Sequence, residues 1–351
     1  MNLITRQPSI IDDVRIMQIT RYNLSELNAM RESMNLNELK LSNNLIVNIK
    51  DECFALLHNL TRLDLSYNQI DYLNYTVFHS IAANLITLDL SFNYLTTINE
   101  TFKEMIELTK LNLQNNRLSS ISSDQLKSMK KLIYLNLADN FINQIDTATF
   151  IFNSALRKLI LNNNNLSDSV VDTIGTKLQF LDVSANNLNQ IPKGLNQYVV
   201  DFRFSKNNLS EINSDDFDSF PLLRIIVLSN NKITTIEYDA FGRLKFLTHL
   251  WLNNNKLTAI PLNLPSNLRE LYLQSNEIHT IDETALLGLT RLRQLSLQSN
   301  HIESWTVCSF CRLKNLKSIA LKGNQFENIR FNRVSNDSNI VEQYLNTSID
   351  T

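Results

Sequence analysis

Asp64 and Asp89 are the residues that most resemble a catalytic pair. Each opens the phrase Asp-Leu-Ser-aromatic-Asn, Asp64 to Asn68 and Asp89 to Asn93, and they stand 25 residues apart. On neighbouring strands, two carboxylates would have the spacing that suits a retaining glycosidase. General acid–base work also needs a closed site that raises one pKa, and an open sheet offers none. The five histidines (His58, His79, His249, His279, His301) share no ligand spacing, and no Gly-rich phosphate loop occurs. Cys308-Ser309-Phe310-Cys311 is a C-x-x-C, but it has no second ligand pair and no helix start to activate a thiolate. The chain is read as a non-enzyme without cofactor or metal. The two cysteines are read as small residues of a return segment, at least one of them buried. A third, Cys53, leaves an intermolecular bridge open.

The elements that carry these residues are set by a repeated phrase, L-x-x-L-x-L-x-x-N. Plain copies are Leu60, Leu63, Leu65, Asn68 and Leu85, Leu88, Leu90, Asn93, with later ones at Leu111, Leu113, Asn116 and at Leu295, Leu297, Asn300. Thirteen starts run from Leu36 to Leu316 at intervals of 21 to 25 residues, and a degenerate copy begins at Val14. A fixed period in this range marks one unit stacked many times. The x-L-x-L-x core is read as a strand, so Leu63 and Leu65 point inward while Arg62, Asp64 and Ser66 face out. Stacked in parallel, one strand per repeat makes a concave sheet. The Asn closes each strand. Its amide both donates and accepts, so a column of asparagines can bond the turns above and below. A second apolar column, Phe54, Phe78, Phe102, Leu126, Phe150, Phe217, Phe241, Leu286 and Phe310, should fill the space behind the sheet. Repeats of 24 residues leave room there for irregular or short helical segments. The 21-residue ones, ending in Ile191-Pro192 and Ile260-Pro261, should be extended, because proline fixes φ and removes a donor.

These repeats resemble the typical leucine-rich repeat class of Toll-like receptor ectodomains, small leucine-rich proteoglycans and insect immune proteins. The mixed unit lengths and the run Leu264-Pro265-Ser266-Asn267-Leu268-Arg269-Glu270-Leu271-Tyr272-Leu273 carry the likeness to that extracellular group. The resemblance implies an α/β fold, a right-handed solenoid or horseshoe of about fourteen repeats with a parallel concave sheet. It also implies a secreted or cell-surface recognition role. The expected organisation is an N-terminal segment or partial cap over 1–13, the solenoid over 14–330 and a C-terminal cap helix or tail over 331–351. Within the last, Ile340, Val341, Tyr344 and Leu345 are spaced for one helix face.

Function should lie in the x positions of the concave face, which the core does not use. The residue between the two inward leucines runs Lys40, Asp64, Asp89, Asn112, Asn136, Ile160, Asp182, Arg203, Val227, Trp251, Tyr272, Ser296, Ala320. The outward position two residues earlier adds Ile225, His249 and Glu270. Strands lie about 4.8 Å apart, so Ile225, Val227, His249, Trp251, Glu270 and Tyr272 should form one patch, with Arg203 and Lys206 at its N-terminal side. Exposed aromatic residues beside charge are the material of protein hot spots. A secondary contact is Asp64, Tyr67, Asp89 and Phe92. The competing reading there is that an aromatic next to the Asn packs on the neighbouring repeat.

Composition sets the remaining bounds. A net charge of −2 argues against nucleic acid, and no apolar stretch is long enough for a transmembrane helix. The expected partner is a protein ligand, with a homo- or heterodimer left open. Eight N-x-S/T sequons start at Asn23, Asn59, Asn74, Asn99, Asn165, Asn208, Asn336 and Asn346, in a chain with 48 Asn that would produce many by accident. Asn74 and Asn99 are the preferred glycan positions. Asn165 and Asn208 lie in a tight turn beside the Asn column. The start, MNLITRQPSIIDDV, lacks the apolar run of a signal peptide. The chain is read as extracellular with its leader absent, and as cytoplasmic in the alternative.

Overall fold

The computed structural model describes residues 14–325, except 31–32, 34, 147, 169–173, 175–176, 194–196, 306–308 and 311. The readings made for residues 1–13 and 331–351, and for Cys308 and Cys311, lie outside the described residues. Contacts divide the chain into two units, Met1–Leu181 and Asp182–Thr351.

In the first unit seven three-residue strands lie side by side: Ile16–Gln18, Glu38–Lys40, Arg62–Asp64, Thr87–Asp89, Lys110–Asn112, Tyr134–Asn136 and Lys158–Ile160. Neighbours pair parallel and in register, so that Lys40, Asp64, Asp89, Asn112 and Asn136 are lateral partners. The second unit repeats the arrangement with Asp201–Arg203, Ile225–Val227, His249–Trp251, Glu270–Tyr272, Gln294–Ser296 and Ser318–Ala320. With Phe180–Asp182 there are fourteen such strands among the described residues, one per repeat. The inward leucines are fully buried, as Leu63, Leu65, Leu88, Leu90, Leu250 and Leu252 illustrate. Each contributes about 1.5–3 kcal/mol by leaving water.

The Asn column is a continuous bonding device. Asn116 Nδ2 donates to Leu113 O in its own turn (3.0 Å) and to Leu90 O in the preceding one (2.9 Å). Its Oδ1 accepts from Leu95 N–H (3.0 Å), also in the preceding repeat. Asn68, Asn93, Asn140, Asn231, Asn255 and Asn300 repeat the two donations. The residue before each Asn turns left-handed: Tyr67, Phe92, Asn115, Asp139, Asn163 and Asn254 have φ between 53° and 56°. That kink swings the following amide into the core. Asn and Asp tolerate it well, while an aromatic residue there is unusual.

Three readings change. The strands have three residues rather than five, so alternation stops at Asp64. Ser66 lies past the strand end and is buried instead of facing out. Asn136 and Ser296, at outward positions, are also buried. Asn136 is held by Gln114 Oε1 (3.1 Å) and by Ala138 N–H (3.1 Å). The apolar column behind the sheet is buried from Phe54 to Leu286, with Phe54 and Phe78 stacked at 6.3 Å. Phe310, by contrast, is only half-buried and meets Trp305 edge-on.

The return segments are mostly turns, with short helices at Ser123–Leu126 and Glu283–Leu286 and a 3-10 turn at Tyr75–Val77. Paired two-residue strands such as Ser120–Ile121 with Gln144–Ile145 add short second sheets, which the repeat phrase did not signal. The Pro192 and Pro261 segments hold no helix among the described residues. Cys53 is buried, and its Sγ donates to Asn28 O (3.0 Å). Burial pushes its thiol up to about 12. A thiol so placed offers almost no thiolate at neutral pH. Iodoacetamide labelling followed by peptide mapping should leave Cys53 unmodified in the native protein and modify it once urea unfolds the chain.

Candidate functional site

The second unit brings the anticipated patch together. Val227, Trp251 and Tyr272 are lateral partners, as are Ile225, His249 and Glu270. The short strands place two outward rows only two residues apart, so rings on one row reach the other. Trp251 stacks on Tyr272 with centroids 5.1 Å apart and 8° between planes. His249 stacks on the indole from its own strand at 5.7 Å and 10°. Tyr272 OH donates to Glu270 Oε2 (2.8 Å), and Glu270 Oε1 lies 3.5 Å from His249 Nε2. Thr248 Oγ1 holds the other ring nitrogen at 2.8 Å.

Sequence reading treated Trp251 and Tyr272 as exposed, but both are half-buried. The Trp251 and Tyr272 rings cover one another's faces. Such a cluster has little rotamer freedom left to lose, which lowers the cost of binding. Arg203 is in register with Val227, but its guanidinium is drawn back onto Asp201 by two contacts of 3.1 and 3.2 Å. Lys206 is exposed. Sequence reading missed three exposed apolar or aromatic residues in the same unit. Tyr198, Leu222 and Phe246 immediately precede the first apolar residue of successive repeats and are 40%, 38% and 50% exposed. Reading that column across repeats would have found them.

Burial, and then the Glu270 carboxylate, push Tyr272 up to about 12 from an ordinary 10.0. The folded state keeps its proton where the unfolded chain loses it. This contribution to stability is complete below about pH 10 and fades as pH rises towards 12. Following the Tyr272 ring by NMR should show it protonated at pH 11, and Glu270→Gln should lower its midpoint. An unshifted midpoint in the variant would remove Glu270 as a cause.

In the first unit the secondary group also meets. Tyr67 and Phe92 stack at 4.0 Å and 8°, so each packs on the neighbouring repeat. Asp64 and Asp89 are lateral partners, but each turns one oxygen inward. Asp64 Oδ1 accepts from Ser66 N–H (2.9 Å) and Oγ (2.6 Å), and Asp89 does the same with Ser91. Asp89 Oδ2 also accepts from Asn112 Nδ2 (2.9 Å). These carboxylates close strand ends.

The row two residues earlier carries what sequence reading overlooked: Lys110 and Lys158 lie over the Tyr134 ring at 5.2 and 5.6 Å, and Lys158 over Phe180 at 4.4 Å. Asn74 is half-buried as the N-cap of the 3-10 turn, and Asn99 is exposed with Oδ1 accepting from Gln125 Nε2 (2.7 Å). No group of three or more His, Cys, Asp or Glu suited to a metal occurs among the described residues. No helix among them is long and apolar enough to cross a membrane.

Comparison with known proteins adds the following. A family model described as "Leucine rich repeat" matches residues 34–83, 106–166, 201–257 and 266–326, and a second, "Leucine Rich Repeat", matches 84–105. Human Podocan-like protein 1 is 28% identical over 245 residues, 61% of this chain and 47% of that protein. The chain therefore spans about half the length of that curated relative. The solved APL1 leucine-rich repeat domain superposes with a TM-score of 0.73 at 24% identity, over 89% of this chain and 81% of that one. A leucine-rich repeat chain in the octameric complex of Latrophilin 3, Unc5D and FLRT2 gives 0.57 at 25% identity, over 76% of each.

Proposed function

The chain belongs to the leucine-rich repeat family, and from that premise we propose that it is a non-catalytic recognition module working outside the cell as a receptor ectodomain or a secreted immune or adhesion factor. Its ligand is a protein, and the ligand docks on the concave face. The observation that carries this is the stacked His249–Trp251–Tyr272 cluster, braced by Glu270 and flanked by Ile225 and Val227. Large amphipathic rings held rigid at the centre of a face, with a polar rim, have the composition of binding hot spots. Arg203 supplies the charged margin. Tyr67 and Phe92, with Asp64 and Asp89, form a lesser contact in the first unit. That a relative of similar fold appears in an assembly of several receptors supports a protein partner. Asn74 and Asn99 are candidate glycan positions on this reading.

Affinity capture from extracellular fluid of the source tissue tests the proposal, with wild-type chain and Trp251→Ala as parallel baits. The partner is a protein recovered by the first and lost from the second. Equal recovery by both baits removes the patch from the interface. Immunolocalisation of the native protein tests the compartment separately.

A further inference from the structure

The first unit contains an open groove of about 430 Å³ along the edge where its strands end. The volume falls in the range of about 300–1,000 Å³ typical of ligand sites. Its floor is the Asn ladder, whose amides are already committed to backbone groups. Its walls carry Tyr94, Arg117, Asp139, Phe141 and Asn163. At one end Arg117 lies over the Tyr94 ring at 4.3 Å. Next along the row stands Phe141, 57% exposed, with Asn165 one repeat further on. Asp139, on the other side of the Asn column, is oriented by Gln114 Nε2 (2.9 Å) and by the Asn163 amide. Asn165, in the Phe141 row, begins the sequon Asn165-Leu166-Ser167.

Among the described sequon asparagines, Asn165 alone lines this groove. Its side chain is exposed. The Asn99 amide oxygen is taken by Gln125, the Asn208 amide oxygen by Lys232 Nζ (2.7 Å), and Asn74 is half-buried. The turn that holds Asn165 is tight only on its inner side: its backbone N–H donates to Ile142 O (2.9 Å), which directs the side chain out.

We propose that Asn165 carries an N-linked glycan whose first sugars lie in this groove against Phe141. In the transfer, Nδ2 of Asn165 attacks the anomeric carbon of a lipid-diphosphate-linked oligosaccharide. The N–C bond forms as the C–O bond to phosphate breaks, the lipid diphosphate leaves with that electron pair, and the amide releases one proton. The product keeps one N–H and one carbonyl for hydrogen bonding, and needs only room outward. A sugar ring has an apolar face and a hydroxyl rim. Phe141 supplies an apolar surface for the first. Asp139, Asn163 and Arg117 supply an acceptor, an amide and a donor fork for the second. The proposal rests on the extracellular reading, since that acceptor chemistry belongs to the secretory route.

The test is site-resolved glycopeptide mass spectrometry on the full chain, expressed behind a heterologous secretory leader in a eukaryotic cell. The leader sends the chain through the pathway whatever its native location, so failure of the site and failure of the extracellular reading are separate results. Asn165 is expected to be occupied. Peptide-N-glycosidase should release its glycan from native wild-type protein about tenfold more slowly than from Phe141→Ala, because seating protects the linkage. Tyr94→Ala, at the far end of the row, serves if Phe141→Ala is poorly secreted. An unmodified Asn165 overturns the proposal, and equal release from wild type and variant overturns the seating in the groove.

Discussion

Asn116→Ala is expected to destabilise the first unit by about 4 kcal/mol, one of the largest single effects available in this fold. The side chain contributes little area, so the cost is not one of lost apolar packing. It serves three buried backbone groups at once: Leu90 O, Leu113 O and Leu95 N–H. Alanine leaves all three without that partner, at roughly 1–3 kcal/mol for each group stranded. Two of the three belong to the preceding repeat, so the loss falls on the interface between units, where a solenoid has its cooperativity. Urea denaturation followed by circular dichroism measures it, with a lower midpoint and a broader transition expected. Asn143→Ala, at an exposed position in the next repeat, should change stability by less than about 0.5 kcal/mol. Similar losses from both substitutions would mean that the amide's position in the ladder is irrelevant.

Trp251→Ala should weaken binding of the native protein partner by about 2 kcal/mol, close to thirtyfold, with Tyr272→Ala of the same order. The indole lies between two other rings, so its removal costs its own contact and also frees His249 and Tyr272 to disorder. Both effects appear on binding, because the face must be rigid before a partner can close over it. Tyr272→Phe separates them: it keeps the ring stack and removes only the bond to Glu270, so a smaller loss is expected. Surface plasmon resonance with the captured partner gives the affinities, and unchanged melting temperatures show that the core is intact. Wild-type affinity in both alanine variants would place the interface elsewhere.

The repeat phrase made the architecture legible because its chemistry is strictly local. A leucine every second residue in a strand must face inward, and an amide three residues after the last leucine can reach the turn of its neighbour. The lateral order of the outward residues followed at once, and the register pairs Val227, Trp251 and Tyr272 as the spacing required. The outward direction of individual side chains was less legible. Ser66 and Ser91 turn in because the strands stop at three residues and the left-handed residue redirects the chain. Asp64 and Asp89 were read as two like-charged groups facing solvent. Each instead spends an oxygen on the serine two residues on, a bond that depends on the bend and not on residue type alone.

The sequence by itself determined the stacked units, the burial of the leucine columns and the Asn ladder, because each follows from a period that every repeat obeys. Only the tertiary structure decided what the irregular positions do. It turned Trp251 from an exposed residue into the middle of a ring stack, interleaved Lys110, Tyr134 and Lys158 along one row, and opened a groove beside Asn165 instead of a crowded turn. These features arise between side chains some 24 residues apart, brought within about 5 Å by strand stacking. Their geometry depends on rotamers and turn angles that no single repeat encodes.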